Sequence, residues 1–198
     1  MTHARPSGDA GQAFPIYITV VAGLLLLAFA FVAVGQAAVN RSDAQTAADA
    51  AALAAAQETR DDLTGAWLDD LLDPAQWRAI FDGNAAGVDS GCWRAYELAS
   101  MNDAEADCTA DGLLAYVVEA TTNESVGDSI VPGTEGKHAT ARARAVIEPR
   151  CDFDLPGEDA GEEVLPDLSC DGESWELDPE EPADLPGPED LFDVHLAD

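Results

Sequence analysis

No charged residue occurs between Phe14 and Val39, a run of 26 positions. Its centre, from Ile16 to Val34, is almost wholly Ile, Val, Leu, Ala and Phe. About 20 apolar residues cross a bilayer as a helix, because every backbone donor and acceptor must be paired within the segment there. Pro15 suits a first helical turn, where its missing N–H removes nothing. Tyr17 suits an interfacial aromatic position. A cleavable secretory signal has a shorter apolar stretch of roughly 7–15 residues and a small-residue cleavage site. The stretch here is longer, although Ala33-Val34-Gly35 and Gly35-Gln36-Ala37 are small enough to be cut. The primary expectation is a transmembrane helix over 14–39. The alternative is a secreted acidic binding module released by cleavage near residues 35–37.

The helix is not expected to stop at the membrane. From Ser42 to Glu58 the sequence is dominated by alanine, the best helix former, and no Gly or Pro intervenes between Gln36 and Arg60. One helix from about Pro15 to about Arg60 would be on the order of 70 Å long. Ala44, Ala47, Ala48, Ala51 and Ala55 fall on one face. Side chains this small let another helix approach closely, so helix packing with other subunits is expected there. A plain alanine-rich stalk is the other reading.

Charge divides the 198 residues into three objects. Residues 1–40 are neutral, residues 41–150 carry −12, and residues 151–198 carry −18 with no Lys or Arg, giving −30 overall. Nucleic acid is excluded as a partner, since phosphate recognition needs a basic surface. Adsorption to anionic headgroups is excluded for the same reason. Arg5 and Arg41 bracket the span, so the count of positive charges leaves its orientation balanced. The four cysteines, Cys92, Cys108, Cys151 and Cys170, all lie on one side of it. An even number of cysteines points to two disulfides and an oxidising compartment. Residues 1–13 are therefore placed in the cytoplasm and the remainder beyond the span outside the cell membrane, in a single-pass arrangement.

The string Gln45-Thr46-Ala47-Ala48-Asp49-Ala50-Ala51-Ala52-Leu53-Ala54-Ala55-Ala56, after a single span and a head ending in Gly11-Gln12-Ala13-Phe14, resembles the start of TadE/TadG-like proteins. These are pilin-like components of the Tad (Flp) pilus assembly machinery. The resemblance covers about residues 8–60. It implies a pilin-like or accessory role in a Tad-type pilus or related secretion assembly, with the lipid bilayer and other assembly subunits as partners. Two departures stand out. Ile16 holds the place where prepilin-like substrates carry Glu after a Gly cleavage site. The Asp-x-Ser-x-Ser motif of the von Willebrand A-type domain found in longer members is absent, so the short form is implied.

Residues 61–150 read as a small α+β domain. Leu63, Ala66, Trp67 and Leu71 predict one short helix ended by Asp73-Pro74, and Trp77, Ile80 and Phe81 a second ended by Asp82-Gly83. A third helix opens at Gly91-Cys92 and runs to about Met101. Residues 113–121 and the alternating stretch 138–147 read as two strands of a hairpin, with Arg142 and Arg144 facing water. The family resemblance implies a disulfide tying the third helix to the strand after it. Proximity in the chain then favours Cys92–Cys108 and Cys151–Cys170, although four cysteines permit three pairings. Each closed loop would contribute roughly 3 kcal/mol. Residues 151–198, with 18 acids, six prolines and four glycines, are expected to be a largely disordered acidic tail, except near Cys151–Cys170.

No chemistry-bearing constellation emerges. The cysteine separations of 16, 43 and 19 contain no Cys-x-x-Cys knuckle, His138 and His195 are isolated, and no calcium-loop spacing occurs. There is no Ser/His/Asp set and no Gly-rich phosphate loop. The expectation is therefore a non-enzymatic α+β membrane protein without cofactor or metal. Its parts are a cytoplasmic head at 1–13, a transmembrane helix at 14–39, an alanine-rich helix at 40–60, the domain at 61–150 and the tail at 151–198.

Overall fold

The computed structural model describes residues 13–125, 136–155 and 165–197. Its axis is one helix, α1, from Ala13 to Asp69, in which 57 residues run without interruption. The sequence predicts a break near Arg60 and a separate helix after it; instead α1 carries on. The reason lies in the stripe of Ala48, Ala52, Ala56, Thr59, Leu63 and Trp67, all buried and spaced by three or four residues. One face thus continues past Arg60 and is rewarded by burial. Gly65 is tolerated because it points to solvent, where a glycine costs about 1 kcal/mol relative to alanine.

Helices α2 (Pro74–Phe81) and α3 (Cys92–Met101) come next. The main sheet is four-stranded and antiparallel, ordered β1-β2-β3-β7, with β1 Ala104–Ala110, β2 Ala115–Ser125, β3 His138–Pro149 and β7 Phe192–Ala197. Strands β2 and β3 are the predicted hairpin. Strand β1 is an addition: Ala104, Ala106 and Cys108 turn inward while Glu105, Asp107 and Thr109 turn out. The period of two was present in the sequence, but alanine and acids are poor strand formers and mask it.

The acidic tail needs the larger correction. Its described residues are ordered well beyond the Cys151–Cys170 region, out to Ala197. Strands β4 (Cys151–Phe153), β5 (Leu168–Cys170) and β6 (Glu173–Trp175) form a second sheet. Asp171 and Gly172, both at positive φ, make the two-residue turn between β5 and β6. A short helix α4 (Pro188–Leu191) then leads into β7, which pairs with Arg144–Pro149 of β3. Net charge misjudged this segment because a few apolar anchors decide its fate. Leu168, Leu191 and Phe192 are fully buried. Phe192 joins an aromatic chain that runs Trp67–Trp77–Phe153–Phe81–Phe192, with ring centroids 5.3 to 5.9 Å apart.

One cation organises the polar side of this tail. Arg150 donates from Nε to the Asp171 carboxylate at 2.7 Å and from Nη1 to the Glu189 carbonyl at 2.8 Å. Its backbone N–H reaches the Leu191 carbonyl at 2.9 Å, and its own carbonyl accepts from Asp171 N–H at 3.1 Å. The Asp171 hydrogen bond and charge hold the Arg150 guanidinium even more firmly protonated than usual.

A candidate membrane and assembly surface

Two halves of α1 live in different environments. Every described side chain from Phe14 to Val34 is exposed except half-buried Val21 and Ala33. Exposure reaches 81% at Phe31 and 69% at Leu26. A continuous apolar cylinder of this size is foreign to a water-exposed surface. The segment is long and apolar enough to cross a membrane.

The second half of α1 is the spine of the folded domain. Ala44, Ala47, Ala48, Ala51 and Ala55 are all at 0% exposure, as are Ala52 and Ala56. The alanine face singled out in the sequence for helix packing is buried within the chain's own fold. It packs against the chain's own β2, β3 and α3. Small residues are required because the packing is close. A Cβ added to Gly91, at the start of α3, would lie 2.1 Å from the Ala55 carbonyl oxygen.

A buried polar node locks these elements. Thr59 Oγ1 and Tyr116 Oη of β2 are 2.7 Å apart, and Tyr116 Oη accepts from the Gly91 N–H at 3.1 Å. Sequence reasoning passed over all three residues in this role. Only a glycine just before a cysteine-led helix hinted at it. At the other end, Asn40 Nδ2 donates to the Ser125 carbonyl at 3.1 Å. These two levels fix the geometry: β2 runs antiparallel to α1, and β3 runs parallel to it. Residues 40–43 and the Ser125 end of β2 therefore lie next to the apolar half, and the aromatic chain lies far from it.

Two disulfides pin the domain. Cys92–Cys108 joins α3 to β1, and Cys151–Cys170 joins directly opposed residues of β4 and β5. These are the pairings that proximity favoured. Among the described residues, no group of three or more His, Cys, Asp or Glu side chains is arranged to hold a metal. Asp62, on the solvent side of α1, has its carboxyl raised above the ordinary range by partial desolvation, with the charges of Asp61 and Asp89 adding to the effect.

No curated protein and no solved structure matches the chain. Residues 11–58, which cover the apolar half of α1 and its buried alanine run, match the family described as Flp pilus-assembly TadE/G-like.

Proposed function

We propose that this chain is a single-pass envelope protein that serves as a pilin-like or accessory component of a Tad-type (Flp) pilus or a related secretion assembly. The observation that carries the reading is the division of one unbroken helix. Its exposed apolar half protrudes from a domain whose core is the other half, and the family match spans the junction. In this reading Phe14–Val39 sits in the bilayer with the amino-terminal head in the cytoplasm. The two disulfides favour an oxidising, extracytoplasmic location for the domain. Contact with other subunits is made in the membrane by the apolar half, since the alanine face of 44–56 is occupied. Packing there is van der Waals contact between helices in lipid. The domain, rigidly continuous with the span, is carried to a fixed height and orientation for docking. Its action is mechanical, without catalysis.

The experiment is crosslinking in native membranes from single cysteines placed at Leu25 and Phe29. Crosslinks to other single-span assembly subunits are expected. Their absence at both positions, and at further positions around the helix, would overturn the assembly reading.

A further inference from the structure

The uncharged run of α1 ends at Val39. The next residue, Asn40, donates to the Ser125 carbonyl, and Ser125 stands opposite His138 at the start of β3. His138 Nδ1 lies 2.8 Å from the Thr122 carbonyl. A carbonyl only accepts, so Nδ1 is the donor. These bonds hold the start of β3 at the height where the apolar half of α1 ends. Lys137 precedes His138 and, because β3 runs away from the apolar half, stands one residue closer to the bilayer. Arg41 lies on the β3 side of α1. It shares a flank with Gln45 and Asp49, which border the cleft beside Arg142 and Ala143 of β3. The acids at this end lie on the other flank. Asp43, Asp103 and Glu124 line a separate cleft of about 400 Å³ together with Met101, at the end of α3.

Acids outnumber bases 39 to 9, so a base left without an acid is the exception. Arg60, Arg94, Arg144 and Arg150 each hold a carboxylate. Arg142 faces Glu119 across the ladder, and Arg78 lies over the Phe153 ring. Among the described residues Arg41 and Lys137 form no ion pair, and both side chains are exposed.

We propose that Arg41 and Lys137 together bind the phosphate groups of anionic lipid headgroups in the leaflet beneath the domain, and so hold its β3 side down on the bilayer. The inference rests on the reading of 14–39 as a membrane span. A guanidinium meets two phosphate oxygens with parallel N–H bonds, and an ammonium meets phosphate as a point charge. A base at the end of a span reaches headgroups by itself. What the fold adds is Lys137, brought to the same level from a distant part of the chain by the Asn40–Ser125 bond. The net charge of −30 excludes adsorption of the chain as a whole. Here the span supplies the attachment, and charges farther from the surface than a Debye length of about 8 Å are screened. Only the charges at the bilayer end count, and these are split between the two flanks. Anionic lipid attracts the β3 side and repels the α3 side, which gives the domain a fixed lean.

The test adds phosphatidylglycerol or phosphatidylcholine to the full chain in detergent and counts bound lipid by native mass spectrometry. Each base near a headgroup surface contributes roughly a fivefold preference, so phosphatidylglycerol is expected to bind about 25-fold more tightly. Arg41→Gln and Lys137→Gln should each lower this preference about fivefold, and Lys137→Arg should retain it. Arg144→Gln, farther along β3 and paired with Asp111, should leave it unchanged. A preference lost in Arg41→Gln but kept in Lys137→Gln would assign the lipid to the helix end alone and overturn the joint site. Equal binding of the two lipids by a chain that resists alkaline washing from membranes would overturn the site and leave the span standing. Equal binding by a chain that washes out would overturn both.

Discussion

The hydroxyls of Thr59 and Tyr116 lie 2.7 Å apart in the interior of the domain, joining the long helix to the centre of the sheet. Both residues are buried, and Tyr116 Oη also serves the Gly91 N–H. This is where α1, β2 and α3 meet, one turn beyond the alanine face. It fixes the rotation of α1 about its own axis, and so fixes which side of the apolar half lies beneath which side of the domain.

Tyr116→Phe keeps the ring and removes the oxygen. The Thr59 hydroxyl and Gly91 N–H then lose a buried partner, and stability should fall by about 1–3 kcal/mol. Urea unfolding of the detergent-solubilised chain, followed by tryptophan fluorescence, measures this. An unchanged midpoint would mean that the node contributes nothing.

Gly91→Ala should be worse, because its Cβ would collide with backbone and not with a flexible side chain. Overpacking of this kind costs typically about 1–3 kcal/mol and more where backbone must move. Gly65→Ala is the matched control, since nothing lies within 4 Å of the added methyl. Removing a helical glycine there should raise stability by roughly 0.5–1 kcal/mol. Opposite shifts for the two substitutions in the same unfolding assay are the expected result.

Much of this architecture could be read from residue pattern. The uncharged run, the alanine stretch and the Leu63–Trp67 stripe each report a helix, although joining them into one required knowing that the sheet covers a single continuous face. Both disulfides agreed with chain proximity. The partner of the alanine face was not legible, because a small-residue stripe states how close a neighbour comes and not which neighbour it is. The tail was misread for a different reason. Composition averages over 48 residues, whereas order there is decided by Phe153, Leu168, Leu191 and Phe192 meeting α2 and α1. Asp171-Gly172 between Leu168-Ser169-Cys170 and Glu173-Ser174-Trp175 was a hairpin signal available in the sequence.

Arg150→Ala should loosen the tail without unfolding the domain. The substitution removes the side-chain bonds to Asp171 and the Glu189 carbonyl but leaves Phe192 buried. Limited proteolysis should cut faster between residues 171 and 190, with β7 remaining attached to the sheet. Cleavage at the parent rate would show that the apolar anchors alone hold this segment.

Asp62 gives a pH signature of known sign. Its folded-state carboxyl is raised above the unfolded value, so in the window just above the ordinary carboxylate range the folded chain holds more protons than the unfolded one. Stability contributed by this group therefore falls as pH rises through that window, and its penalty is fully present at neutral pH. Asp62→Asn should raise the melting temperature slightly at pH 7, with the gain vanishing below the ordinary carboxylate range. Melts at the two pH values check this. A gain that persists unchanged in acid would assign the effect to something other than charge.

In the proposed role, one helix both anchors the protein and builds its domain. Determining the amino terminus of the mature chain together with its cellular fraction tests this most directly. The account predicts a chain that retains Phe14–Val39 and stays in the membrane after alkaline washing. A soluble chain beginning near Gln36 would contradict it and make the protein a secreted acidic module.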